Sequence, residues 1–204
     1  MNVGNSFDEV FAQMRMHGMA VPAPQVEIRI PDAHTVLERC FRYFLSVQQA
    51  ELEWQPEYDE VAAWLENNHG RGLFLYGDCG RGKSLLARYV LPALLLKYMR
   101  KVVSVYDVQQ MNSRLDEVLT KHIISLDDIG TEEISNVYGN KRLAFAEIMD
   151  AAEKQGKLVI VSTNLQKHGK GQAKGIVETY GERVYERIIA TTKRIEFKGA
   201  SLRR

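Results

Sequence analysis

Eight consecutive residues, Gly77-Asp78-Cys79-Gly80-Arg81-Gly82-Lys83-Ser84, fit the spacing G-x-x-x-x-G-K-S/T. Glycines in that pattern let the backbone turn inward, so that successive N–H groups face one anion. The apolar run Gly72 to Tyr76 leads into the loop and a helical pattern from Leu85 to Tyr98 leads out of it, adding the partial positive charge of a helix N-terminus. A polyphosphate suits such a nest. Lys83 would meet its β- and γ-phosphates as a point charge, and the Ser84 hydroxyl would complete the oxygen shell of a Mg2+ ion. Gly77, Asp78, Cys79, Gly80, Arg81, Gly82, Lys83, Ser84 and Leu85 together form the candidate ligand-binding set.

A second cluster lies downstream. Ile123 to Leu126 reads as an apolar strand that delivers Asp127 and Asp128 at its carboxyl end, the edge where parallel α/β sheets bind ligands. Asp127 would hold Mg2+, directly or through water. Asp128, turned to the other side by strand alternation or by the following turn, would orient and deprotonate an attacking water. Leu158 to Ser162 is a further buried strand, tipped by Thr163-Asn164, whose amide can hydrogen-bond both a terminal phosphate oxygen and that water. Taken alone, a carboxylate pair also caps helices and an asparagine also makes turns; the phosphate loop upstream is what favours the chemical reading. Arg183 and Arg187 stand one turn apart on one face of a helix expected over Ile176 to Ala190.

The elements that must position these groups follow from hydrophobic periodicity. Phe7, Val10, Phe11, Met14 and Met16 keep a helical rhythm behind Ser6, and suit either a helix packed on the main domain or a docking helix for a partner. Pro22 and Pro24 break it, and Val26 to Ile30 alternates as a short strand or extended linker. Asp32 is expected to cap a helix from Ala33 to about Glu53, and Pro56 to open another that Gly70 ends. Tyr58, Val61, Trp64 and Leu65 of that helix suit core packing, or else residues 58–68 wall a nucleotide base. After the phosphate loop, Pro92 should bend the helix; Val102 to Tyr106 is a strand, and Asp107 caps a helix carrying Val108, Met111, Leu115 and Val118 inward. Residues 129–139 read as a loop, Lys141 to Gln155 as a helix stopped by Gly156, and Arg194 to Phe197 as a last strand. The glycine- and lysine-rich stretch Lys167 to Gly175 reads as a surface loop, with contact to a single-stranded nucleic-acid backbone as its functional alternative.

Composition narrows the classes. The 204 residues carry 27 Lys and Arg against 26 Asp and Glu, so no global field marks a nucleic-acid or membrane protein. Basic charge is local: from Leu165 to Arg204 ten Lys and Arg face four Glu, a net of +6. No apolar run approaches the ~20 residues of a membrane span, and no signal-peptide pattern opens the chain, so a cytoplasmic protein is expected. Cys40 and Cys79 make neither a disulfide framework nor a metal site, and the five histidines lack metal-site spacing. One domain over residues 32–204 is expected, preceded by an extension and linker over residues 1–31.

The order of phosphate-loop strand, intervening strand, acidic strand, Asn-tipped strand, arginine helix and closing strand resembles the plan of an AAA+ ATPase. Gly77 to Ser84, Leu126-Asp127-Asp128-Ile129-Gly130-Thr131-Glu132, Val161-Ser162-Thr163-Asn164 and Gly181-Glu182-Arg183-Val184-Tyr185-Glu186-Arg187-Ile188 resemble the DnaC-type helicase loaders and the related IstB transposition ATPases. The resemblance covers roughly Trp64 to Arg203. It implies an α/β P-loop NTPase with an AAA+ core: a parallel five-stranded sheet flanked by helices, without a C-terminal helical lid, behind a short helical N-terminal extension. It further implies ATP and Mg2+ bound between self-associating subunits, with an arginine supplied in trans, Arg187 first and Arg183 second. Arg203 matches a second sensor of the phosphates. The implied partners are single-stranded DNA and a hexameric replicative helicase, or, on the IstB-like alternative, a transposase acting on duplex DNA. Hydrolysis by an isolated subunit is expected to be slow.

Overall fold

Five strands, β1 (Gly72–Gly77), β2 (Ser104–Asp107), β3 (Ile123–Ile129), β6 (Leu158–Thr163) and β7 (Thr192–Phe197), form one sheet in the order β2-β3-β6-β1-β7, every pair parallel. β4 (Asn136–Val137) and β5 (Asn140–Lys141) pair separately and antiparallel. The computed structural model describes residues 7–130, 136–137, 140–141, 143–169, 171 and 173–202. The three inner strands are buried almost throughout, as parallel sheets require, whereas the edge strands β2 and β7 are partly open. Alternation divides the coverage: Leu73 and Leu75 of β1 belong to one apolar cluster and Phe74 to the other. The first cluster packs the sheet against α2 (Ala33–Val47), α3 (Pro56–Glu66), α4 (Lys83–Leu85), the π-helical turn Leu86–Val90 and α5 (Leu91–Met99). The second packs it against α6 (Val108–Ser113), α7 (Leu115–Thr120), α8 (Ala144–Gln155), α9 (Ile176–Tyr180) and α10 (Glu182–Thr191). The P-loop NTPase fold read from the motifs is the fold observed.

Local chemistry accounts for the boundaries. Asp107 accepts from the Gln110 N–H at 2.8 Å while the Gln110 side chain accepts from Asp107 N–H at 3.2 Å, a reciprocal cap that starts α6 as expected. Pro56 opens α3 and Gly156, at φ 64°, closes α8. Asp32 does not cap α2 as expected: it sits at φ 52°, and its carboxylate accepts from the Thr35 hydroxyl at 2.9 Å instead. α2 also stops at Val47 rather than near Glu53. Gln49 turns to φ 54°, with Gln49 N–H donating to Ser46 O and Ala50 N–H to Leu45 O, a left-handed helix ending made without glycine. Arg114 divides α6 from α7, and Gly181, at φ 90°, divides α9 from α10, so two expected helices are each two.

Residues 26–30 lie in neither sheet. Val26, Ile28 and Ile30 are buried in the first core, and the fully satisfied Asn68 amide pins the segment. Asn68 Oδ1 accepts from Ile28 N–H at 2.8 Å, and Nδ2 donates to Val26 O at 2.8 Å and Arg71 O at 3.0 Å. α1 (Phe7–Met16) has no buried residue and leaves Phe7 81% exposed. No described helix is long and apolar enough to cross a membrane.

Candidate nucleotide site

The loop after β1 has the backbone its glycines promise. Gly77, Gly80 and Gly82 hold φ values of 113°, 75° and 87°, and a Cβ on Gly77 would come within 2.3 Å of Phe197 O. The loop is braced from outside. Tyr58, stacked among Phe41, Trp54 and Phe197, donates its hydroxyl to Arg81 O at 3.1 Å, and burial raises that phenol to about 12. The Arg81 guanidinium reaches away from the loop, to Gln55 Oε1 at 2.7 Å and Glu57 Oε1 at 3.3 Å, so its side chain is a strut to α3. The segment after β7 is stitched to the loop as well: Gly199 N–H donates to Asp78 Oδ2, Leu202 N–H to Gly80 O, and Arg81 Nη1 to Ala200 O.

Lys83 is 5% exposed and donates to Gly77 O at 3.0 Å and Asp78 O at 2.6 Å, which aims its ammonium into the curl of the loop. A cleft of about 1150 Å³ opens there, lined by residues 79–85 together with Arg88, Asp128, Ser162, Thr163 and Asn164. Its far wall is residues 48–53 with Phe41, Leu45, Tyr58 and Tyr89. Of residues 58–68, the stretch expected as a base wall, Tyr58 lines the cleft, and the chain just past the early stop of α2 supplies more of its lining. Cys79 is exposed at the cleft, whereas half-buried Cys40 contacts Val90 O and is raised by burial to about 11.

The acidic strand reaches the same rim, although β6 separates β3 from β1. Asp127 is 5% exposed; its Oδ1 accepts from the Ser162 hydroxyl and its Oδ2 lies 3.4 Å from Arg88 Nη1. The β3–β6 register slips between Leu126 and Ile129, and Asp128, at φ 60°, occupies the bulge. This left-handed residue, not simple alternation, turns the Asp128 carboxylate into the cleft, where Asn164 Nδ2 donates to its Oδ1 at 3.2 Å. Ser162 Oγ also accepts from Asp128 N–H at 3.1 Å, joining both aspartates. Arg88 carries no motif signal in the sequence, and Ser162 stands in a quoted motif without its aspartate partners being visible there; the pairing of β6 with β3 supplies them.

Arg183 and Arg187 lie elsewhere, beside a separate cavity of about 460 Å³ between α8 and α10. Arg187 donates to Asp150 and, at 2.9 Å, to Glu153, whereas Arg183 is exposed. Thr131, Glu132 and Arg203 fall outside the described residues.

A glycine loop that aims backbone amides and a lysine into a cleft, with a carboxylate pair at the next-but-one strand, defines a P-loop NTPase. The chain belongs to the novel STAND NTPase 3 family, whose model matches residues 55–194. A nucleotide is thus the ligand class of the chain. No curated protein sequence matches the chain. Among solved structures, the DnaC helicase loader is similar at TM-score 0.55 and 18% identity, over 72% of this chain and 94% of that one. DnaI follows at 0.47 and 24%, over 65% and 73%. A primosome component from Streptococcus pyogenes serotype M3 follows at 0.45 and 20%, over 86% of each chain. The first of these likenesses shows that the chain shares the fold of the DnaC helicase loader structure, the likeness expected from its motifs.

Proposed function

We propose that the protein binds and hydrolyses ATP, and that its ATP-bound form assembles on single-stranded DNA in the cytoplasm and delivers a hexameric replicative helicase, as a DnaC-like loader. The observation that carries the reading is the meeting of the phosphate loop, Asp128 and Asn164 in one cleft of a DnaC-like fold, with Asp127 tied to that cleft through Ser162 and Arg88. The Ser84 hydroxyl and the Asp127 carboxylate are the hard oxygen donors that Mg2+ takes, so both fit that ion. Bound magnesium would neutralise charge on the phosphoryl oxygens as the terminal bond breaks.

The chain's own groups do the remainder. Lys83 exchanges the Gly77 and Asp78 carbonyls for phosphate oxygens, and the loop amides hold the tail. Asp128 accepts the proton of the attacking water, and Asn164 holds that carboxylate in place. A neighbouring subunit supplies an arginine from α10 to the transition state. Of the two, Arg183 is exposed for that purpose, while Arg187 would first have to leave Asp150 and Glu153. The net charge of +6 from Leu165 onward supports contact with a nucleic-acid backbone.

The test uses Asp128→Asn protein, expected to retain ATP and stop turnover, against Lys83→Ala, expected to lose ATP binding. With Mg-ATP, the first should bind single-stranded DNA in a salt-sensitive way and co-migrate with the hexameric helicase, and the second should do neither. Absence of both interactions, or capture of a transposase on duplex DNA instead, removes the loading role.

A further inference from the structure

Arg88 faces the nucleotide cleft, yet the hydrolytic chemistry does not employ it. It stands in the π-helical turn Leu86–Val90, immediately after the helix that carries Lys83 and Ser84. Pro92, two residues into α5, has no N–H to give an α-helical ladder, and the widened turn accommodates that loss. The Ser125 hydroxyl of β3 locks the turn by donating to Ala87 O at 2.7 Å. The outcome is that Arg88, next along, sets Nη1 3.4 Å from Asp127 Oδ2, with the arginine side chain 38% exposed and the aspartate 7%. Because Ser162 already donates to the other oxygen, the Asp127 carboxylate is held on both sides by its own chain.

Resting on the reading of Asp127 as the magnesium residue, we infer that Arg88 is a built-in competitor for that ion. Its guanidinium holds one oxygen of the carboxylate, and a Mg-nucleotide seats fully only as Arg88 withdraws. Two cations on one nearly buried carboxylate repel each other in a medium of low dielectric, so gain of the metal and loss of the arginine are a single exchange. Arg88 thereby sets how much free Mg2+ the site needs, and it keeps Asp127 neutralised when the metal is scarce.

The experiment titrates Mg2+ against binding of a fluorescent, non-hydrolysable ATP analogue to wild type, Arg88→Gln, Arg88→Lys and, as a control for general charge, Arg100→Gln. Melting curves establish that each variant is folded. Arg88→Gln should lower the Mg2+ midpoint about threefold to tenfold, the effect of a partly exposed ion pair on a buried carboxylate. Arg88→Lys should fall between it and wild type, and Arg100→Gln should match wild type. Normal analogue binding with an unshifted or raised midpoint in both Arg88 variants, or an equal shift in Arg100→Gln, overturns the inference and leaves the nucleotide reading intact. Failure of folded wild type to bind the analogue at any Mg2+ concentration overturns both.

Discussion

Arg187 illustrates how a side chain proposed for catalysis can already serve stability within a single subunit. Its two carboxylate partners lie on α8, and its side chain is only 12% exposed. Arg187→Ala should therefore cost about 1 kcal/mol and lower the melting temperature of the unassembled protein by roughly 2–4 °C. Arg183→Ala should leave the melting curve unchanged and reduce turnover only in assembled protein; calorimetry and ATPase assays above and below the assembly concentration separate the two. Ser162→Ala removes the hydroxyl that joins Asp127 to the Asp128 N–H, and should cost about 10–100-fold in kcat with little change in affinity for metal-free nucleotide. The phosphate loop was legible because its spacing carries its chemistry, and the aspartates and Asn164 stood out only in its company. The partners of Ser162 and Arg88 were not legible, because they arise from β6 lying beside β3 and from a π-helical turn, neither of which a linear pattern displays.

At the scale of elements, strands and most helices followed from periodicity, and two of the departures share a cause. Gln49 and Arg114 end helices without glycine or proline, so a propensity reading runs through them. The extended segment 26–30 looked like a linker because its fixing partner, Asn68, lies 40 residues beyond Ile28 in sequence. Asn68→Ala leaves the Ile28 N–H and the Val26 carbonyl of that segment unpaired and should destabilise by about 3 kcal/mol, measurable by urea unfolding. The loop before α9 has a comparable anchor. Glu178 accepts from His168 Nδ1, from Gly169 N–H at 3.2 Å and from Gly175 N–H at 2.9 Å, and these bonds, His168 first, lower its carboxyl to about 2. Because the folded value lies below the usual 4.5, the anchor contributes fully above that pH and is lost as pH falls toward 2. Proteolysis within residues 167–175 should accelerate over that acid window, and Glu178→Gln should be susceptible already at neutral pH.

For the molecule as a whole, a ligand that engages only the folded loop must stabilise the fold. At a hundredfold excess over Kd, Mg-ATP should add about 2.7 kcal/mol and raise the melting temperature by roughly 5–10 °C, an increase that Lys83→Ala abolishes. The bracing of the loop also explains why one ligand can be felt so widely: the loop touches α3 through Arg81, the segment after β7 through Gly80, and the buried aromatic cluster through Tyr58. The contrast between the two thiols gives access to that event. Cys40, whose thiol is held near 11, stays largely protonated in neutral buffer, while Cys79 lies open at the mouth of the loop. A maleimide dye would thus label the wild-type chain at a single address beside the arriving phosphates, turning the protein into its own optical gauge of occupancy without any engineered cysteine.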